Sequence, residues 1–127
     1  MIAARVLVVD DNPINIELAA HVLERAGFVV AGAEDAGAAL SCMHAFRPDL
    51  ILMDIQMPGM DGLELAQRLK ADPATWQVVI VAFTAYAMKG DEAKMRAAGC
   101  DGYIPKPIEI ATFAATVRAH LATRPRG

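Results

Sequence analysis

The chain predicts an α/β domain, a five-stranded parallel sheet with helices on both faces, for which 2-1-3-4-5 is a common doubly wound order. Three observations lead there. Apolar runs alternate with helix-period segments from one end of the sequence to the other. The central runs, such as "VLVV" and "LILM", are apolar throughout instead of alternating with polar residues, as strands covered on both faces must be. Asn, Pro and Gly punctuate the boundaries. With 127 residues and 55 % hydrophobic content, the chain has the length of one domain and the apolar surface to fill its core.

The first strand is Val6–Asp10. Asn12 is placed to cap the helix that follows, with Pro13 at its first position. Ile14, Leu18, Val22 and Ala26 recur at helical spacing, and Gly27 ends that helix. Phe28–Ala33 is the second strand and Asp35–Phe46 the second helix, closed by Pro48. Leu50–Asp54 is the third strand. Gly62–Ala71 is the third helix, with a turn at Asp72–Pro73. Val78–Phe83 is the fourth strand, Asp91–Gly99 the fourth helix, and Gly102–Ile104 a short fifth strand before Pro105. Ile108–Leu121 is the last helix. The domain is expected over residues 1–122, with 123–127 as a flexible tail.

Composition excludes several classes of function. Lys and Arg number 12 and Asp and Glu 15, so the net charge of −3 gives no footprint for nucleic acid or an anionic membrane. The uncharged stretch ending at Met88 falls short of the roughly 20 residues of a membrane helix. Cys42 and Cys100 form no metal-binding or disulfide pattern and read as small buried hydrophobes in a cytoplasmic protein.

In open parallel sheets the ligand site lies outside the carboxyl ends of the strands. Those ends carry Asp10 and Asp11, Glu34 and Asp35, Asp54, Thr84, and the segment holding Lys106. The switch point of a 2-1-3-4-5 sheet falls between its first and third strands, where Asp10, Asp11 and Asp54 meet. One aspartate at a strand end is more often a helix cap or a solvated group. Three at two adjacent strand ends repel one another unless a cation relieves them. Such an all-oxygen set suits a hard cation, Mg²⁺ in particular. Thr84 alone would read as a strand-end cap and Lys106 alone as a surface residue. Lys106, however, sits in "IPKPI", where two prolines restrict its backbone. A metal, an ammonium and a hydroxyl around one carboxylate are the set that stabilises charge on a phosphoryl group. A carboxylate can itself be the nucleophile.

With those residues in view, "VLVVDDNPIN", "DLILMDIQMPGMDGLEL", "VVIVAFTAYA" and "GCDGYIPKPI" resemble the response-regulator receiver domains of two-component signalling, a flavodoxin-like fold. The resemblance runs from about Val6 to Leu121. It is nearest to single-domain regulators of the cell-division type and to receivers of hybrid histidine kinases. It implies Asp54 as phosphoacceptor and Asp11 as a direct Mg²⁺ ligand, with Asp10 acting mostly through water. It implies a backbone carbonyl from Gln56 in the metal site. It implies Thr84 and Lys106 on the phosphoryl group and Tyr103 as a switch aromatic. Gln56 and Tyr86 would border the path of the attacking water and tune dephosphorylation. The partner implied is a sensor histidine kinase or histidine phosphotransferase. Since 127 residues leave no room for a DNA-binding domain, output would pass to a protein target, through the face of the fourth helix, fifth strand and last helix, or come from a neighbouring domain. The only chemistry expected of the chain itself is self-phosphorylation and slow autodephosphorylation.

Other residues have plainer readings. Met53, Met57 and Met60 fill gaps near the loop after Asp54, since thioethers prefer soft metals. Pro58, Gly59 and Gly62 supply tight turns there. His21, His44 and His120 read as ordinary helix residues. Two rivals share the architecture. A haloacid-dehalogenase-like phosphatase carries a second Asp two residues after its nucleophile, where this chain has Gln56. A dinucleotide or flavin module needs a glycine-rich turn after the first strand, where this chain has "DDNPIN".

Overall fold

The computed structural model describes residues 3–57, 60–84, 91–106 and 108–122. Five strands form one parallel sheet: β1 (Arg5–Val9), β2 (Val29–Ala33), β3 (Leu50–Met53), β4 (Val79–Thr84) and β5 (Gly102–Pro105). Their order is β2-β1-β3-β4-β5, as the sequence predicts. The helices are α1 (Pro13–Arg25), α2 (Ala36–Phe46), α3 (Gly62–Ala71), α4 (Asp91–Ala97) and α5 (Phe113–Leu121). A small antiparallel pairing of Gln56–Met57 with Met60–Asp61 joins β3 to α3.

The period of two along each strand divides the core. Leu7, Val9, Ile51, Met53, Ile80 and Ala82 face α2, α3 and α4 and meet Ala39, Met43, Leu65, Leu69 and Met95. Val6, Val8, Leu50, Leu52, Val79, Val81 and Phe83 face α1 and α5 and meet Ala19, Leu23, Phe113 and Val117. Burying each large side chain is worth about 1.5–3 kcal/mol, so both layers must be in place for the sheet to hold. Met53 belongs to this core as a fully buried strand residue, not to the loop beyond Asp54. The side chains of Met57 and Met60 lie outside the described residues.

Local signals fix the helix ends. Asn12 caps α1 by accepting the Ile14 N–H at 3.0 Å. Asp35 caps α2 by accepting the Ala38 N–H at 2.8 Å, so that helix begins one residue after the predicted start. Gly27 and Gly99 stand at φ 98° and 100°. At α1, the Phe28 N–H reaches back to the Leu23 carbonyl; at α4, the Cys100 N–H reaches that of Met95, both at 3.0 Å. These are Schellman stops, which favour glycine because its φ is positive. The last helix departs from expectation, starting at Phe113 and not at Ile108. Ile108, Ile110 and Thr112 are β-branched and lose side-chain freedom in a helix. The Glu109 carbonyl closes a turn there by accepting from both Thr112 and Phe113. Thr112 then adopts the cap position without capping the helix through its side chain, whose hydroxyl turns back to Glu109 Oε2 at 3.4 Å. The tail 123–127 lies outside the described residues, and among those described no helix is long and apolar enough to cross a membrane.

Candidate functional site

The strand registers bring the carboxyl ends together. Val9 pairs with Ala33 on one side and with Met53 on the other. Asp10 and Asp54 are therefore the next residues out on adjacent strands. The ladder continues into both, since the Asp10 N–H donates to the Ala33 carbonyl at 3.0 Å and the Asp54 N–H to that of Val9 at 2.9 Å. Carboxylate oxygens of Asp10, Asp11 and Asp54 lie within 4.8 Å of one another. Asp10 and Asp54 are buried and Asp11 is exposed. Glu34 and Asp35 do not join this group, and Asp35 is committed to capping α2.

Lys106 reaches the same place from the other side of the sheet. Thr84 stands opposite Pro105 at the ends of β4 and β5, and the Lys106 N–H donates to the Thr84 carbonyl at 2.8 Å. Its ammonium donates to Asp10 Oδ2 at 2.7 Å and to Asp54 Oδ2 at 3.3 Å. It also sits 5.0 Å from the centre of the Phe83 ring, a cation–π distance. The side chain of Thr84 is fully buried beside these groups. The three acids are thus relieved in part by one ammonium from 96 residues away in sequence. The remaining donor set is all oxygen and carries excess negative charge, so it can hold a hard divalent cation.

Three further residues shape the site, and sequence reasoning did not assign their roles. Asn15, one turn into α1, donates to Asp10 Oδ2 at 3.3 Å, while the Asn12 N–H donates to Oδ1 at 2.9 Å. Phe83 floors the Lys106 ammonium. Gly62 is not a turn glycine: it opens α3 and packs flat against the backbone of Asp54 and Ile55. A Cβ on it would lie 2.6 Å from the Asp54 carbonyl oxygen and 2.8 Å from Ile55 Cα. The motif "DDNPIN" held a signal for Asn15 in its i+5 spacing from Asp10; Gly62 and Phe83 required the fold.

Tyr103 lies on β5 opposite Ala82, half-buried. It borders a cavity of about 340 Å³ between β5 and α5, together with Lys106, Glu109 and Phe113. Gln56 pairs with Asp61 in the small hairpin. Tyr86 lies outside the described residues. His21 and His44 are exposed on α1 and α2 and do not join the acidic group. The His120 ring covers Gly102, where a Cβ would meet it at 2.4 Å. Burial pushes the His120 imidazole below its ordinary range, against a smaller upward pull from Asp101. Cys100 is buried as expected, and burial raises its thiol to about 11.

Residues 6–118 match the family model described as the response regulator receiver domain. The chain belongs to the response regulator receiver family. The receiver is 40 % identical over 116 residues to the polar-differentiation response regulator DivK of Brucella anthropi, covering 91 % of this chain and 94 % of that protein. It superposes with a TM-score of 0.87 on the chemotaxis response regulator CheY4 of Vibrio cholerae, at 28 % identity, over 94 % of this chain and 99 % of the other. The receiver domain of a signal transduction histidine kinase from Syntrophus aciditrophicus gives 0.83 at 30 % identity, over 94 % and 91 %. A receiver works in phosphorelay signalling with a histidine kinase as its partner, and it is not an enzyme in the ordinary sense. The phosphatase and dinucleotide-module readings fall with that membership.

Proposed function

We propose that Asp54 is the phosphoryl acceptor of this receiver. One observation carries the assignment: a buried carboxylate at a strand end, with an ammonium at 3.3 Å and two more acids within reach of a shared cation. In the transfer, an Asp54 oxygen attacks the phosphorus of a phosphohistidine presented by the kinase or a phosphotransferase. The P–N bond breaks and its electron pair stays on the imidazole nitrogen. Mg²⁺ is the cation we assign to Asp10, Asp11, Asp54 and the Gln56 carbonyl, where it would offset charge on the acids and on the phosphoryl oxygens. Lys106 and the Thr84 hydroxyl take the phosphoryl oxygens of the product. The family resemblance assigns Gln56 and Tyr86 to setting the lifetime of the phosphate. The chain works in the cytoplasm, as residues 1–122 of a receiver.

Output leaves through α4, β5 and α5, with Tyr103 as reporter. Support comes from the half-buried ring beside a cavity whose wall also holds Lys106. Movement of that ammonium therefore alters the surroundings of the ring.

Incubation with acetyl phosphate and Mg²⁺, followed by intact-mass measurement, tests the acceptor. Wild type gains one phosphoryl group and folded Asp54→Asn gains none. Stoichiometric labelling of Asp54→Asn overturns the assignment.

A further inference from the structure

Asp10 Oδ2 is a crowded atom. It accepts the Lys106 ammonium at 2.7 Å and the Asn15 amide at 3.3 Å, inside a residue with no solvent exposure. Only the NH₂ end of an amide can face a carboxylate, so Asn15 is a donor here. Lys106 is meanwhile closer to Asp10 than to the Asp54 acceptor, at 3.3 Å. If Asp54 takes a phosphoryl group, the ammonium must shift towards the new charge. Asp10 Oδ2 then loses its stronger partner. A buried carboxylate oxygen stripped of its donors is costly.

We propose that Asn15 is a positioning residue that keeps Asp10 Oδ2 hydrogen-bonded while Lys106 moves to the phosphoryl group. The inference rests on Asp54 being the acceptor. In the resting protein Asn15 is partly redundant, because Lys106 already covers the same oxygen. In the phosphorylated protein it is the donor left behind. Asn15 lies on the first turns of α1, whose start is pinned by Asn12, so its amide approaches the carboxylate from a fixed direction. The prediction is therefore state-dependent, which a merely structural hydrogen bond would not be.

The test compares wild type, Asn15→Ala and Asn15→Ser in the Lys106 and Lys106→Gln backgrounds. Two readouts are taken: the rate of labelling by acetyl phosphate with Mg²⁺, and the melting temperature in EDTA. With Lys106 present, both substitutions should slow labelling about tenfold and leave the melting temperature within about 1 °C of wild type. With Lys106→Gln, the same substitutions should lower the melting temperature by several degrees, because the oxygen has then lost both strong donors. Slowing of threefold or more together with this background dependence supports the role. Labelling within threefold of wild type overturns it, as does an equal loss of melting temperature in both backgrounds. Absence of labelling in wild type itself would instead remove the acceptor assignment.

Discussion

Two lysines of this receiver sit at opposite ends of the sheet and use the same chemistry to opposite effect. At the amino end of the strands, Lys70 donates to Asp101 at 2.8 Å, to the Val78 carbonyl at 2.8 Å and to that of Trp76 at 3.1 Å. Three ammonium protons meet three fixed acceptors. Asp101 in turn accepts the Ile80 N–H at 2.8 Å. At the carboxyl end, Lys106 is divided between two carboxylates at unequal distances, 2.7 and 3.3 Å. A cation saturated by two backbone carbonyls and one carboxylate is a staple joining α3 to β4 and β5. A cation shared between competing acids is held in place yet open to transfer to a third anion. Charge pairing alone does not separate the two; what separates them is whether the acceptors can be exchanged.

The comparison is sharpest on labelling of Asp54. Lys106→Ala should slow phosphorylation by about 10²-fold or more, the scale of losing one preorganised charge at a developing oxyanion. Lys70→Ala should leave the rate within about twofold. A Lys70 variant as slow as the Lys106 variant would erase the distinction between staple and movable cation.

Stability should order the two lysines the other way. Lys70→Ala removes the donor shared by two backbone carbonyls and Asp101, at a cost of about 0.5–1.5 kcal/mol because water can reach the groups left behind. Urea unfolding should show that loss, and Mg²⁺ should not restore it. Lys106→Ala leaves the acids less compensated, a defect that Mg²⁺ should reverse by binding the folded state. Equal rescue of both variants by Mg²⁺ would break the contrast.

The smallest effect concerns pH at the amino end. Burial depresses the His120 imidazole, so the folded state favours the neutral ring. A depressed histidine contributes nothing unfavourable above its ordinary value of 6.5 and costs stability as pH falls below it. Asp101, already engaged by Lys70 and Ile80, gives the imidazolium little help. The urea midpoint should decline as the pH falls through about 6.5 and below, and less steeply in His120→Gln. An identical slope in that variant would show that His120 is not the group responsible.

Much of this was legible in the sequence because the signals were local. Unbroken apolar runs marked the strands, and Asn12, Gly27 and Gly99 marked helix ends through their own backbone chemistry. The acids and Lys106 could be gathered by a rule about parallel sheets and by family resemblance. What escaped was decided by contacts across the fold. Gly62 reads as a turn residue until the Asp54 carbonyl is found against it. The Lys70–Asp101 contact left no mark in the sequence, because its partners are 31 residues apart and the carbonyls leave no trace in side-chain pattern. α5 starts later than the predicted Ile108 because the Glu109 carbonyl accepts from Thr112 and Phe113 and closes a turn ahead of the helix, a backbone choice that side-chain pattern does not record.

The span of the Lys106–Asp10 contact also bears on how the protein is made. Its two partners are separated by 96 residues, and the Lys106–Asp54 pair by 52. Contacts of that range close late, because the intervening chain must surrender its freedom first. A chain still on the ribosome displays its acids long before the cation that tempers them emerges from the exit tunnel. Phosphoryl acceptance is therefore a property of the finished polypeptide, and a kinase meeting a nascent receiver would find a negatively charged surface without an acceptor site.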